Sequence, residues 1–478
     1  MSMLETLRAY LRTRDASTYL VGGTVRDLLL GRAIHDVDVA VQGSASKLAR
    51  AFADEIGALV YVMDESFDVA RVIWETNGTR AIADFARLRG GSLENDLRTR
   101  DFTINAMAAA TLTWNGAAET VIDPLHGLAD LRARRVRAVS ETVFRDDAVR
   151  LARAARLAGE LDFELDDATR AWLRRDAPLL QTAPMERVRD EWMRIVAGAN
   201  VLSRLRQLDE LDLFGRILPE MNALRGVTQS PPHLYDVFEH SLRAVAAAEE
   251  MERARYAIGG GDAFQAQLAA HFAQRVGGAR TRRELLRFTL LLHDLGKPST
   301  RTVETSGRIH FFGHADAGAA LAVAALRRLK FSNEETAWVK TVIENHLRPI
   351  LLAQNGMSAR ALYRYFRDLG AMGVDVAAHA WCDQRATYGA AMPPEIDATL
   401  RMVNGRMFDA YFYAHAQVVA PPALINGEDV MTLLGIASGP RVRDWLEQVR
   451  EAQALGQIST RAEAVAFLKT RRSGDQKL

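Results

Sequence analysis

Apolar positions in the first third of the chain fall in short runs, several alternating with polar ones. They are Tyr19-Leu20-Val21, Val37-Asp38-Val39-Ala40-Val41, Val60-Tyr61-Val62, Ala70-Arg71-Val72-Ile73 and Ala81-Ile82-Ala83. Period-two alternation marks half-buried strands. Helical spacing fills the gaps, with Val25 to Leu30 as a short helix between the first two runs. Residues 1 to 138 therefore predict a small sheet with helices. From Glu141 onward the strand pattern nearly vanishes. Val149, Ala152, Ala155 and Leu157 begin a long series of helical spacings, interrupted near Ile309-His310-Phe311. The expected class is α+β, a sheet-containing head followed by an all-α remainder. Pro231-Pro232 and Pro393-Pro394 mark breaks. The stretch Ala257 to Thr281, rich in Gly, Ala and Gln, reads as a loosely connected surface excursion. Arg471 to Leu478 reads as a frayed end.

At 478 residues the chain exceeds one core, and about three domains are expected. Hydrophobic residues make up 48% and charged residues 25%, enough to bury cores unaided. A single cysteine, Cys382, excludes an intramolecular disulfide and fits a reducing compartment. No stretch approaches the roughly 18 apolar residues of a membrane span, and the N-terminus lacks a secretory pattern. A cytoplasmic location without a membrane partner is expected. The net charge of +1 carries no global nucleic-acid signature, but arginines cluster at Arg132 to Arg137 and Arg145 to Arg156. Local patches set phosphate contacts.

The first candidate chemistry lies in Gly22-Gly23-Thr24-Val25-Arg26-Asp27 and Asp36-Val37-Asp38. Residues two apart on a strand share a face, so Asp36 and Asp38 converge and repel unless a cation separates them. Carboxylate oxygens suit Mg²⁺, which binds through one or two of them plus substrate phosphates. The glycines admit close backbone approach to those phosphates, and Arg26 can neutralise them. Alone, a glycine pair is a turn and Asp-x-Asp a solvated loop. The order strand, turn, helix, strand favours a nucleotidyl-transfer site. Asp84, closing Ala81-Ile82-Ala83, is the candidate third carboxylate or else an ordinary strand-end acid.

Downstream, the charged segment from Asp96 to Asp101 runs into an apolar stretch read as a helix, with Arg100 at its start facing triphosphate oxygens. Asp123 to Leu131 reads as a turn, a helix start and a hinge. After Asp146 and Asp147, the arginines Arg150, Arg153 and Arg156 drift along one helical face that no neighbouring acid fully offsets. That stripe is a phosphate track or a solvated face. Asp147 and Arg150 share a face, and an acceptor beside a planar donor fork can read a base edge.

The helical half carries His240, His293-Asp294 behind an apolar helix, His314, His346 and Asp383. Imidazoles and carboxylates gathered on a helical scaffold form a divalent-metal site that polarises a phosphate and activates water. His233, His310 and His379 read as structural or substrate-side, and His271 as an idle residue of the loose excursion.

GGTVRD with DVD, RDFTINAMA, DPLHGLADL and DDAVRLARAAR resemble, in order, the head and neck motifs of bacterial class II tRNA nucleotidyltransferases. These are the CCA-adding enzymes, with the related poly(A) polymerases. The resemblance covers nearly the whole chain. It implies Mg²⁺ on Asp36 and Asp38, beside the candidate third catalytic carboxylate Asp84. It implies that Gly23, Arg26, Arg100, Arg150 and Arg153 contact the incoming nucleotide, and Gly22, Asp101, Asn105, Asp147 and Arg156 complete the candidate nucleotide-binding set. Asp147 and Arg150 would replace a nucleic-acid template, pairing with cytosine or adenine. The second cluster resembles the HD phosphohydrolases: His240, His293, Asp294 and Asp383 as the core set, His314 and His346 as an extra pair, around an unidentified divalent metal. The implied organisation is a nucleotidyltransferase-type mixed-sheet head (1–138), a helical neck (139–228), an HD domain (229–392) and a helical tail gripping RNA (393–478). The implied partners are tRNA, CTP and ATP.

Three departures from the family pattern stand out. Thr99 replaces the first of two arginines, and Asp146 stands where glutamate is usual. Only eleven residues separate Asp84 from Asp96, where many members carry a longer loop linked to the switch from C to A. The short segment points to a CC-adding enzyme as the alternative to complete CCA addition. A poly(A) polymerase and an HD phosphohydrolase with a nucleotide-binding head are the other readings.

Overall fold

β-Branched and aromatic residues in the alternating runs extend because their side chains pack best on a pleated surface. In the computed structural model they form strands β1 (Thr18–Val21), β2 (Val37–Val41), β3 (Leu59–Asp64), β4 (Val69–Thr76) and β5 (Thr79–Arg87), joined by β6 (Ala108–Ala110). The structure describes all residues except Met1, Asp15, His35, Asn77, Ala279 and 476–478, together with no side chains from 472 onward. The strands make one mixed sheet in the order β3-β4-β5-β2-β1-β6. β2 and β5 run parallel, while the other neighbours are antiparallel.

Helix α1 (Met3–Leu11) precedes the sheet, and α2 (Gly23–Leu29) links β1 to β2. Helix α3 (Ala45–Ile56) starts on the Ser44 side chain and ends at Gly57 in the left-handed conformation, φ 66°. It buries Phe52 against the edge of Trp74 (5.5 Å) and beside Phe85 (5.9 Å). Truncating such an aromatic costs about 3–5 kcal/mol. On the opposite face α4 (Leu93–Arg98) lays Leu97 over Val21, Ala40 and Ala108.

The apolar helix expected after Arg100 does not form. Thr103–Asn105 is a single 3₁₀ turn, and the alanines beyond it pair as β6 with β1, Leu20 opposite Ala109. Small side chains satisfied either reading, and the open edge of β1 decided it. The segment read as a hinge is tied down. The Asp123 carboxylate accepts the N–H groups of Gly127 (2.7 Å) and Leu128 (2.9 Å).

The chain divides into two compact units, Met1–Glu191 with Gln207–Ile217, and Trp192–Arg206 with Leu218–Leu478. Among its described residues the second is helical apart from two small strand pairs, one of them at the expected Ile309–His310. Its principal helices include Val237–Arg253, Arg282–Leu292, Asn333–Asn345 and Met372–Tyr388. The Ala257–Thr281 stretch is not a loose excursion, since it contains the helix Gln265–Ala273. His271 is not idle: buried, it meets Asp375 at 3.0 Å, and Arg282 takes the other Asp375 oxygen. Ile425, Val430, Trp445, Val449 and Leu468 form a separate small core near the C-terminus. Among the described residues no helix is long and apolar enough to cross a membrane.

Candidate functional site

Asp38 and Asp84 are register partners on the parallel strands β2 and β5, so their side chains share one face of the sheet. Asp36 stands exposed just before β2 begins at Val37. The Thr24 hydroxyl accepts the Asp38 N–H at 2.8 Å, fixing the strand against the start of α2. Burial, then the negative charges of Asp36 and Asp84, push the Asp38 carboxyl up to about 7 against the opposing pull of Arg100 and Arg26. A cation placed among the three carboxylates removes that penalty, and the oxygen-only donor set fits a hard divalent ion.

Gly22 sits at φ +65°, and a Cβ there would lie 3.1 Å from both Asp38 Oδ2 and Arg100 Nη1. Bare backbone is required at this spot. The Arg26 guanidinium forks onto Asp27 (2.9 and 2.8 Å) and donates to Asn105 Oδ1 at 2.7 Å. Asn105 donates to Asp101 (3.0 Å), and Asp101 accepts from Arg153 (3.2 Å). A continuous polar chain thus joins the glycine turn to the helix Val149–Leu161.

The arginine stripe is not an open phosphate track. Glu191, on the helix Met185–Ala197, binds Arg153 at 2.9 Å and also Arg156, which is buried and held in addition by Glu160. Arg150 is different: among the described residues its guanidinium donates to backbone carbonyls, Nη2 to Thr99 at 3.1 Å and Nη1 to Val143 at 3.5 Å. Asp147 lies in the extended junction before the helix rather than on it, and its carboxylate is gripped by Arg187. Arg100 is anchored by Asp96 (2.9 Å).

Sequence reasoning missed Arg71, Thr24, Asp96, Arg187 and Glu191. Arg71 forks onto Asp84 with two contacts of 2.7 Å. Its position opposite Asp84 follows only from knowing that β4 and β5 pair. Arg187 and Glu191 are one helical turn apart in a charge-rich helix, and spacing alone does not say which distant groups they meet.

In the helical unit, His240, His293 and Asp383 present ligand atoms within 4.8 Å of one another, and so do Asp294, His314 and His346; all six are buried. Asp294 stands between the triads, with Oδ2 3.2 Å from His293 Nε2 and Oδ1 3.6 Å from His314 Nε2. His293, His314 and His346 each direct Nδ1 to the carbonyl three residues back: Leu290 (2.9 Å), Phe311 (2.8 Å) and Ile343 (2.7 Å). A carbonyl only accepts, so Nδ1 carries the proton and Nε2 turns inward.

Oδ1 of Asp294 has no hydrogen-bond partner among the described residues. Burial and the neighbouring His293 push His346 down to about 4, so it is the neutral imidazole that a metal ligand must be. Burial opposes the charge on His293, but Asp294 and Asp383 outweigh it and raise the ring above the usual histidine range, as a site favouring positive charge does. The donor set fits divalent metal.

Two further groups belong to this cluster. The buried Lys297 ammonium lies 2.7 Å from Asp294 Oδ2 and donates to Gln229. His379, buried with neither ring nitrogen hydrogen-bonded among the described residues, packs 5.1 Å from His293. His233 packs 5.5 Å from His240, whereas His310 turns to Glu304.

Comparison with known proteins follows this division. The profile described as "Poly A polymerase head domain" matches residues 18–137, "Probable RNA and SrmB- binding site of polymerase A" matches 162–224, and "HD domain" matches 237–377. The chain is 33% identical over 461 residues to the A-adding tRNA nucleotidyltransferase of Deinococcus radiodurans, covering 94% of each. It is 32% identical to the CC-adding tRNA nucleotidyltransferase of Thermus thermophilus, covering 95% of this chain and 93% of that one. Among solved structures, the Bacillus stearothermophilus CCA-adding enzyme in complex with CTP shares the fold, with TM-score 0.63, 23% identity and coverage of 100% and 99%. One-third identity sustained over 94% of both chains, with the head profile on the carboxylate sheet, means that this chain belongs to the tRNA nucleotidyltransferase and poly(A) polymerase family.

Proposed function

We propose that this chain extends the 3′ end of tRNA with nucleotides from CTP, and less readily ATP, without a nucleic-acid template. The observation that carries this is the register pairing of Asp38 with Asp84 beside the bare Gly22 backbone. The tRNA 3′-hydroxyl gives its proton to solvent as its oxygen bonds to the α-phosphorus, the bond to the α–β bridging oxygen breaks, and pyrophosphate leaves with the displaced electron pair. Mg²⁺ held by Asp36, Asp38 and Asp84 would supply the lowered pKa of the attacking hydroxyl and the charge for the leaving group.

The chain's own residues do the positioning. Gly22 and Gly23 admit the triphosphate, and Arg26 and Arg100 face its oxygens, held by Asp27 and Asp96. Asp147 and Arg150 read the base edge. Asp101, Asn105, Arg153 and Arg156 support them as a buried network rather than by touching nucleotide. The functional division is head 1–138, neck 139–228, HD domain 229–392 and an RNA-gripping tail 393–478. A cytoplasmic location, where tRNA and nucleoside triphosphates meet, belongs to this reading.

Addition stops mainly at CC. Relatives named A-adding and CC-adding match at 33% and 32%, so the short Phe85–Asn95 segment carries this reading. The test is sequencing of product 3′ ends on tRNA lacking CCA, with CTP, ATP and both. Incorporation from ATP alone into repeated A would instead mean a poly(A) polymerase.

The histidine cluster supports a second activity, metal-dependent hydrolysis of a phosphate ester. His240, His293 and Asp383 would hold one ion and Asp294, His314 and His346 another, which together polarise the ester and activate water. Lys297 lends positive charge beside them. Hydrolysis of a generic phosphomonoester or cyclic phosphodiester, with and without chelator, tests it.

A further inference from the structure

The six-stranded sheet leaves part of its catalytic face open. Asp38 on β2 stands opposite Asp84 on β5, Asp84 opposite Arg71 on β4, and Arg71 opposite Tyr61 on β3. Ladder partners share a face, so these four side chains form one row from the catalytic carboxylate to the sheet edge. Three strand spacings of about 4.8 Å put Tyr61 about 14 Å from Asp38. Roughly four stacked nucleotides span that distance.

The end of the row is apolar and wet. Leu59 and Tyr61 share this face of β3 and are 61% and 50% exposed, and Met63, 56% exposed, follows at a bulge between Val62 and Asp64. Edge strands normally carry charge on such a face, because an apolar edge invites association. Here Val60 and Val62 make the other face apolar as well, and the charge on β3 is confined to the exposed Asp64 at its end. An apolar surface continuous with a catalytic row marks a binding face.

The direction of approach is limited by the fold. From Asp38 toward β1 and β6 the same face is roofed by Leu93 and Leu97 of α4. Whatever leads to a reacting group at Asp38 along this face lies across β5 and β4 toward Tyr61. Cations border that path. Arg71 sits inside the row with its side chain 35% exposed, and the exposed Arg89 lies 5.4 Å from the ring of the half-exposed Phe67. Stacking surface beside arginine is the chemistry that holds single strands, since every base offers a π face and every nucleotide a phosphate.

We propose that this open face seats the single-stranded 3′ end of the RNA being extended. A base stacks on Tyr61, flanked by Leu59 and Met63, and Arg71 and Arg89 face the intervening phosphates. The inference rests on the nucleotidyl-transfer reading above, and it adds a docking surface outside the nucleotide pocket.

The test uses full-length protein and tRNA lacking its 3′ CCA, with 2-aminopurine at each of the last four positions in turn. Parent and Tyr61→Phe should quench the probe in the absence of nucleotide. Tyr61→Ala should abolish that quench and weaken RNA binding roughly 5- to 100-fold, leaving the KM for CTP at saturating RNA unchanged. Leu59→Ser with Met63→Ser should act in the same direction. Tyr61 is half exposed, so unchanged circular dichroism is expected of its variants. An unchanged quench and unchanged RNA affinity in Tyr61→Ala would overturn the proposal, all the more if that variant altered sedimentation and so marked β3 as an edge between two copies. If the parent extends no RNA at all, the transfer reading fails, while the quench still decides whether this face binds RNA.

Discussion

The Arg187 guanidinium forks onto the Asp147 carboxylate, Nη2 to Oδ2 at 2.7 Å and Nη1 to Oδ1 at 3.3 Å. The Val149 N–H adds a third bond to Oδ1 at 3.1 Å. A carboxylate offers about four lone-pair sites, so one remains for a base amino group, in an orientation that Arg187 sets. Arg150→Ala should therefore cost about 1–3 kcal/mol of base discrimination while leaving triphosphate affinity nearly unchanged. Arg187→Ala should relax selection in the same direction, and Arg187→Lys should not restore it, because an ammonium has no fork. Competition of CTP against UTP and GTP in single-turnover incorporation checks both. Unaltered rejection of UTP by Arg150→Ala would remove it from the template.

Much of this site was legible because periodicity two is a local property. Asp38 and Asp84 each announce a strand face by their own neighbours, and Gly22 announces a turn. What stayed hidden needed partners distant in sequence. Arg71 meets Asp84 only through the β4–β5 ladder, and Glu191 meets Arg153 only through packing of two helices. The same blindness made the arginine stripe look free and His271 idle. The run from Ala106 to Ala110 was misread for another reason. Alanine suits a helix best, but five residues cannot repay helix nucleation when an unpaired strand edge is alongside. The HD cluster was legible as residue types, whereas the carbonyl partners that fix each Nδ1 were not.

Acid should loosen the first unit through the same hidden pairs. Burial works to raise Asp101, but Arg153, Asn105 and the Phe102 N–H outweigh it and hold the carboxyl below its ordinary value. Glu191 is likewise raised by burial and lowered further by Arg156 and Arg153. A depressed folded pKa contributes stability that is complete above the unfolded value, near 4, and lost as pH falls through the folded one. Melting temperature should therefore fall below about pH 4. Asp101→Asn should be less stable by about 1–3 kcal/mol at neutral pH and show a shallower acid limb. Identical acid limbs in both proteins would remove Asp101 from the balance.

The two chemistries should separate. His293→Ala and Asp294→Ala should abolish metal-dependent phosphate-ester hydrolysis and leave CTP incorporation intact, because the ligands lie in a different compact unit from Asp38. Asp294 stands between the triads, so its loss should lower the number of ions bound per chain more than loss of His346 does. Equilibrium dialysis with elemental analysis reads this directly. Joint loss of hydrolysis and incorporation would mean that the cluster serves the fold alone.

Asp38→Ala should abolish nucleotide addition and leave tRNA affinity nearly intact, since affinity comes from phosphate contacts remote from the reacting centre. Filter binding beside single-turnover kinetics separates the two. Turnover near the parent's, with either Asp36 or Asp38 replaced, would sink the assignment.

The segment after Asp84 sets the last expectation. A pocket that changes from cytosine to adenine must reshape around a larger base, and a flexible loop beside the carboxylates is one lever for that. Here the segment is short and pinned. The Asn95 side chain donates to the Gly90 carbonyl at 2.9 Å, and the Arg89 N–H donates to Asp96 at 3.2 Å. Gly90 is left-handed at φ +62°, and a Cβ on it would come within 2.8 Å of the Asn95 side chain. Asp96 in turn anchors Arg100, so movement of this turn would disturb a group facing the triphosphate. Addition of CC should be efficient, with the following A at least about tenfold slower, equivalent to about 1.4 kcal/mol in the barrier. Asn95→Ala, which unpins the turn, should raise A addition relative to C. Products completed to CCA by the parent as fast as CC forms would locate the lever for the switch elsewhere in the chain.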